Sequence, residues 1–96
     1  MAFRLSLKAE DDLVDIYLTG VRTFGQVKAD RYYLDLQDTC DFLSRFPQAA
    51  RERTEIEPPV RIHPHKAHVI VYVVLNDDVL ILRIRHGSED WSDRLA

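Results

Sequence analysis

Residues 68–86, HVIVYVVLNDDVLILRIRH, contain two apolar runs parted by Asn76, Asp77 and Asp78, and their reading decides the architecture. The first run, HVIVYVVL, is apolar at almost every position, the pattern of a strand covered on both faces. The second, VLILRIRH, alternates, so Val79, Ile81, Arg83 and Arg85 are expected on one face. Asn and Asp between two such runs are turn chemistry, which predicts a hairpin. A third strand-like run at residues 60–63, VRIH, joins the first through a turn at residues 64–66, giving a three-strand meander.

Working back from the meander, residues 47–59, PQAARERTEIEPP, hold three of the four prolines and show neither a helical nor a strand period, so they read as a surface loop. Before that loop, Ala29, Tyr32, Tyr33, Leu36, Cys40 and Leu43 recur at helical spacing, predicting a helix from Gln26 that stops before Pro47. Leu13, Ile16, Tyr17, Gly20 and Phe24 mark an earlier helix over about residues 8–24, with Ser6 as its N-cap, acidic residues in its first turns and Gly25 at its end. Only that Gly-centred turn separates the helices, so they must form an antiparallel hairpin. Residues 3–7 alternate Phe3, Leu5 and Leu7 with Arg4 and Ser6, the period of a short edge strand. The predicted class is therefore α+β in the order β-α-α-β-β-β, a two-helix hairpin packed on one face of a mainly antiparallel sheet, with the other face open to a partner.

Ninety-six residues suffice for one core, and residues 1–96 are read as a single domain. A formal charge of −3 argues against a chain built mainly to grip nucleic-acid phosphates. Between residues 60 and 88, however, four Lys or Arg side chains face only Asp77 and Asp78, so this part is locally basic. Cys40 alone, inside a helical apolar pattern, reads as a buried hydrophobe in a reducing compartment. Residues 1–12, MAFRLSLKAEDD, lack the apolar core of a secretory signal, and the longest apolar run is too short to span a bilayer; a cytoplasmic protein is expected.

His63, His65 and His68 lie close in sequence but without a Cys pair or an H-E-x-x-H helix, so they read as turn and strand-start histidines and no metal or cofactor is expected. The serines at 6, 44, 88 and 92 lack a nucleophile-elbow setting, and Ser88 near His86 reads as a polar strand end. With only three glycines there is no phosphate-binding loop.

Five segments in this order and spacing, RLSLKAEDDLVDIY, FGQVKADRYYLDL, FLSRFPQAAR, RIHPHKAHVIVYVV and ILRIRHG, resemble the ParE branch of the ParE/RelE toxin superfamily over nearly the whole chain. The resemblance implies the fold read above, a ParD-like antitoxin with a ribbon-helix-helix domain and a wrapping tail, and inhibition of DNA gyrase by protein binding, without direct nucleic-acid binding. Candidate contacts with target or antitoxin are Arg61, Lys66, Arg83, Arg85, His86 and Trp91, the polar or aromatic residues expected on an exposed strand face or the tail. The plainer reading of each is a solvated strand face, with Trp91 as packing near the C-terminus.

Ala67 and Val73 depart from the pattern, standing where ParE relatives often carry Arg. The alternative within the superfamily is a RelE-like ribosome-dependent mRNA nuclease, whose basic array is mostly missing: Ala67, His68 and Val69 precede the core of the middle strand, and Ser88, Glu89 and Asp90 follow the last one. A third reading is an inactive toxin-like co-repressor.

Overall fold

A computed structural model describes residues 2–76 and 78–87. In chain order it contains β1 (Phe3–Leu5), α1 (Leu7–Phe24), α2 (Gln26–Arg45), a 3-10 turn (Pro47–Ala49), β2 (Glu52–Arg53), β3 (Val60–His65), β4 (His68–Leu75) and β5 (Asp78–His86). The strands form one sheet in the order β1-β5-β4-β3-β2. Only β1 runs parallel to its neighbour, Phe3 opposite Val79 and Leu5 opposite Ile81; every other pairing is antiparallel. The α+β class and the helical hairpin stand as expected.

Ser6 is where strand becomes helix. Its N–H donates to Ile81 O at 2.9 Å, closing the parallel pairing, and its hydroxyl donates to Leu82 O at 2.7 Å. The same hydroxyl accepts from Ala9 N at 3.0 Å, satisfying one of the orphan donors of the first turn of α1. This double use ends β1 at Leu5, short of the expected residue 7. At the other end, Gly25 sits at φ +90° and its N–H caps Val21 O, a backbone conformation that suits glycine. Gly20 lets the helices close up, because a Cβ there would lie 3.3 Å from the Ala29 Cβ.

Leu13 of α1 and Leu36, Cys40 and Leu43 of α2 pack on Ile70, Tyr72, Val79, Ile81 and Ile84, the helix-facing side of β4 and β5. Fully burying each such aliphatic side chain is worth roughly 1.5–3 kcal/mol before entropy is counted. Burial pushes the Cys40 thiol up to about 12, so it stays a neutral core group.

Four expectations need correction. Residues 47–59 are not wholly irregular: the 3-10 turn and β2 lie within them, and β2 pairs Glu52 with Arg61 and Arg53 with Val60. β3 continues through Pro64 to His65 instead of turning at 64. Proline is tolerated because two-residue β2 leaves this stretch of β3 on the sheet edge, where no ladder donor is required.

The third correction concerns β5. Val71 faces Arg83 but Tyr72 faces Ile81, so Leu82 is an extra residue and the strand bulges. Val79 and Ile81 share the helix side with Ile84, and the register sends Arg83 and Arg85 to the side of Val71 and Val69. The expected common face for Val79, Ile81, Arg83 and Arg85 is broken at that point.

Finally, the side of the sheet away from the helices is not bare. Val60, Ile62 and Val71 form a second buried cluster there, with Ile56 from the 54–59 loop and Val69, Val73 and Leu82 packed around it.

Candidate functional site

Two polar assemblies connect the helices to β3, β4 and β5. The first centres on Asp12 of α1, whose side chain is only 8% exposed. One oxygen accepts from Arg83 Nε at 2.8 Å and from the Ile84 backbone N–H at 2.9 Å. The other accepts from Arg83 Nη2 at 3.0 Å and Arg85 Nη1 at 3.4 Å. β1 covers only residues 79–81 of β5, so the strand edge beyond it is open, and Asp12 fills that edge like a missing strand. Both arginines therefore reach round the edge toward α1, forming a fork on one carboxylate.

The second assembly lies at the far end of the sheet. His65, His68 and His86 stand opposite one another in register across β3, β4 and β5. Tyr32 of α2 sits over them, its ring 5.4 Å from that of His65 and 5.5 Å from that of His68, with its hydroxyl 2.6 Å from His68 Nδ1. The His68 and His86 rings meet edge to face at 5.5 Å. Thr39 Oγ1 donates its single proton to Asp35 O at 3.1 Å and lies 2.9 Å from His65 Nδ1. The other ring nitrogen of His65, Nε2, is buried without a hydrogen-bond partner. Burial, seconded by Lys66, holds the His65 pKa below its ordinary value, consistent with a neutral ring.

Lys66 closes this end. It occupies the β3–β4 turn at φ +54°, pairs with Asp35 Oδ2 at 2.8 Å and lies 5.5 Å from the Tyr32 ring centroid. Its hydrogen bond holds the Asp35 carboxyl below the usual range. Beside it opens a cleft of about 640 Å³ between the helical hairpin and the end of the sheet. Ile16, Gly20, Ala29 and Leu36 line its apolar interior, while Lys28, Lys66, His68 and His86 stand around it with one carboxylate, Asp15. The volume lies in the range of ligand and peptide pockets.

The six candidates from the sequence fall into different settings. Lys66 and His86 come together on this cleft. Arg83 and Arg85 are brought together by Asp12, inside a part-buried network and not on an exposed strand face as expected. Arg61 donates to Ala50 O at 2.6 Å, and beside it Tyr72 donates to Pro47 O at 2.8 Å, so both pin the segment after α2. Trp91 lies outside the described residues, as does Ser88.

Sequence reasoning missed Asp12, Tyr32 and the joint placement of the histidines. Among the described residues no cluster of His, Cys, Asp or Glu is arranged to hold a metal ion, and no helix is long and apolar enough to cross a membrane.

Comparison with known proteins bears on the whole assembly. A family model described as ParE toxin of type II toxin–antitoxin system, parDE, matches residues 3–91. A solved structure, the chromosomal ParDE toxin–antitoxin system from P. aeruginosa, superposes with a TM-score of 0.77 at 27% identity, covering 90% of this chain and 95% of that one. No curated protein matches. Since the family match runs from β1 through β5 and embraces both polar assemblies, the chain belongs to the ParE toxin family of type II toxin–antitoxin systems.

Proposed function

We propose that the chain acts in the cytoplasm as a toxin that binds DNA gyrase, breaks no bonds itself, and is neutralised by a ParD-like ribbon-helix-helix antitoxin. The carrying observation is the apolar cleft with Lys28, Lys66, His68 and His86 around it. Such a surface suits a peptide with apolar anchors and acidic flanks, because buried side chains supply affinity while charges supply orientation and encounter rate. The engagement of Arg83 and Arg85 by Asp12 supports a binding role over cleavage. A nuclease needs cations free to face a developing phosphate charge.

A second reading rests on one contact. Tyr32 hydrogen-bonded to His68, with His86 against it, places a hydroxyl and two imidazoles where proton transfer is feasible. A RelE-like mRNA nuclease would use such groups. Gyrase supercoiling with purified protein, run beside mRNA cleavage mapping in a translating extract, separates the readings. Loss of supercoiling without cleavage is expected; ribosome-dependent cuts with untouched supercoiling would overturn the gyrase proposal. Coexpression with the neighbouring open reading frame should relieve growth arrest if that frame encodes the antitoxin.

A further inference from the structure

The direction of α1 explains where the cleft lies. Ser6 donates to Ile81 O and Leu82 O, and Asp12 accepts from the Ile84 N–H, so α1 advances alongside β5 in the same direction. Past Asp12 the helix continues to Phe24, about 18 Å at 1.5 Å per residue. Past Ile84 the strand continues only to His86, about 7 Å at 3.3 Å per residue. The helical hairpin therefore overhangs the end of the sheet by about 11 Å. Gly20, Thr23, Phe24 and Ala29 of the overhang line the cleft together with Ala67 and His86 at the sheet end. Phe24, at the end of α1, is 67% exposed.

The chain itself leads into this space. The Gly87 N–H donates to Ala67 O at 2.8 Å, which holds the exit from β5 in line with the strand and level with the cleft. Residues 88–96, SEDWSDRLA, which lie outside the described residues, follow. Their composition suits the cleft, with one large aromatic side chain, Trp91, among Glu89, Asp90 and Asp93. Trp91 comes five residues after His86, a reach of up to about 17 Å, enough to place its ring anywhere beneath the overhang. The segment sets three carboxylates against Arg94. The cleft sets Lys28, Lys66, His68 and His86 against Asp15, with Lys66 already paired to Asp35, so Lys28 at the start of α2 is its second lysine.

We propose that residues 88–96 dock back into the cleft of their own domain, with Trp91 against Ile16, Gly20 and Ala29 and the acidic residues toward Lys28. Attachment at Gly87 gives the segment a high effective concentration, so modest contacts suffice. An outside peptide then has to displace it. The docking concerns this chain alone, whereas its regulatory consequence rests on the reading of the cleft as a peptide site.

Trp91 is the only tryptophan of the chain, so its fluorescence reads the proposal directly. The wild type should show blue-shifted emission and weak quenching by acrylamide. Lys28→Glu and Thr23→Glu, exposed changes on the cleft wall, should raise the quenching constant about twofold or more with helical circular dichroism retained. Trp91 quenched like the free amino acid in the wild type would overturn the proposal, as would a shielded Trp91 indifferent to both substitutions. Trp91→Ala, which empties the cleft, should bind the apolar anion anilinonaphthalene sulfonate about fivefold more tightly than the wild type. That dye separates the two failures. An exposed Trp91 in a wild type that binds the dye through Lys28 removes the docked segment and spares the peptide site. A shielded, Lys28-dependent Trp91 with no dye binding by Trp91→Ala supports the docked segment and removes the peptide site.

Discussion

The two polar assemblies of this domain use the same chemistry at very different depths. Asp12 with Arg83 and Arg85 sits between α1 and the edge of β5, where the carboxylate is 8% and the Arg83 side chain 17% exposed. Asp35 with Lys66 spans α2 and the β3–β4 turn, at 40% and 58% exposure. In the first, water cannot replace a lost partner, so the pair fixes where α1 lies on the sheet. In the second, water stands ready to replace either group, so the pair shapes a cleft rim that a binding partner can rearrange. Depth, not charge, separates the pair that fixes the fold from the pair that stays open to solvent.

The largest test of this contrast is Asp12→Ala. It leaves two part-buried guanidinium groups and the Ile84 N–H without their acceptor, and about 3–5 kcal/mol should be lost, much of the usual stability of a small domain. Urea denaturation measures it; a loss no greater than that of a surface substitution would break the comparison. Arg83→Ala removes two donors but leaves Asp12 bonded to Ile84 and Arg85, so a smaller loss of about 1–3 kcal/mol is expected. Growth arrest from a folded Arg83→Ala protein should track this instability; arrest abolished at full stability would return Arg83 to the recognition surface.

Acidity sharpens the comparison on the other side. His65 has a depressed pKa in the folded chain, chiefly through burial, so the unfolded chain binds the proton first as pH falls. Stability from the neutral ring should be complete above its unfolded value of 6.5 and decline as pH drops through the folded one. His65→Gln should flatten the stability profile between neutral pH and that lower value. Asp35, also depressed, acts in a lower window, below its ordinary 3.8, through the hydrogen bond from Lys66. The smallest expected effect on folding is Lys66→Ala, with no resolvable change in melting temperature but weaker binding of the antitoxin by titration calorimetry.

Much of this was legible in the chain because local periodicity and local breakers agree. α2 was readable from Gln26 to its stop before Pro47, and the β4–β5 hairpin from its turn residues, since each signal lies within a few residues of the element it controls. What failed depends on distant pairing. The bulge at Leu82 exists only in the register of β5 against β4, so alternation in VLILRIRH continued past the residue that breaks it. Asp12 meets Arg83 across 71 positions, and no spacing rule connects them. Likewise, His86 joined His65 and His68 in a row only once the strands were aligned, since 18 positions part it from His68 in the sequence.

The parallel pairing of β1 with β5 sets the order in which this toxin can come into being. The second residue of the chain bonds to Val79, and Ser6 and Asp12 wait for residues 81 to 85. During synthesis α1 can pair with α2 early, but its place on the sheet is incomplete until the last strand emerges. A chain stalled before that strand lacks the partners of Ser6 and Asp12, so the toxin domain is complete only once β5 has been made.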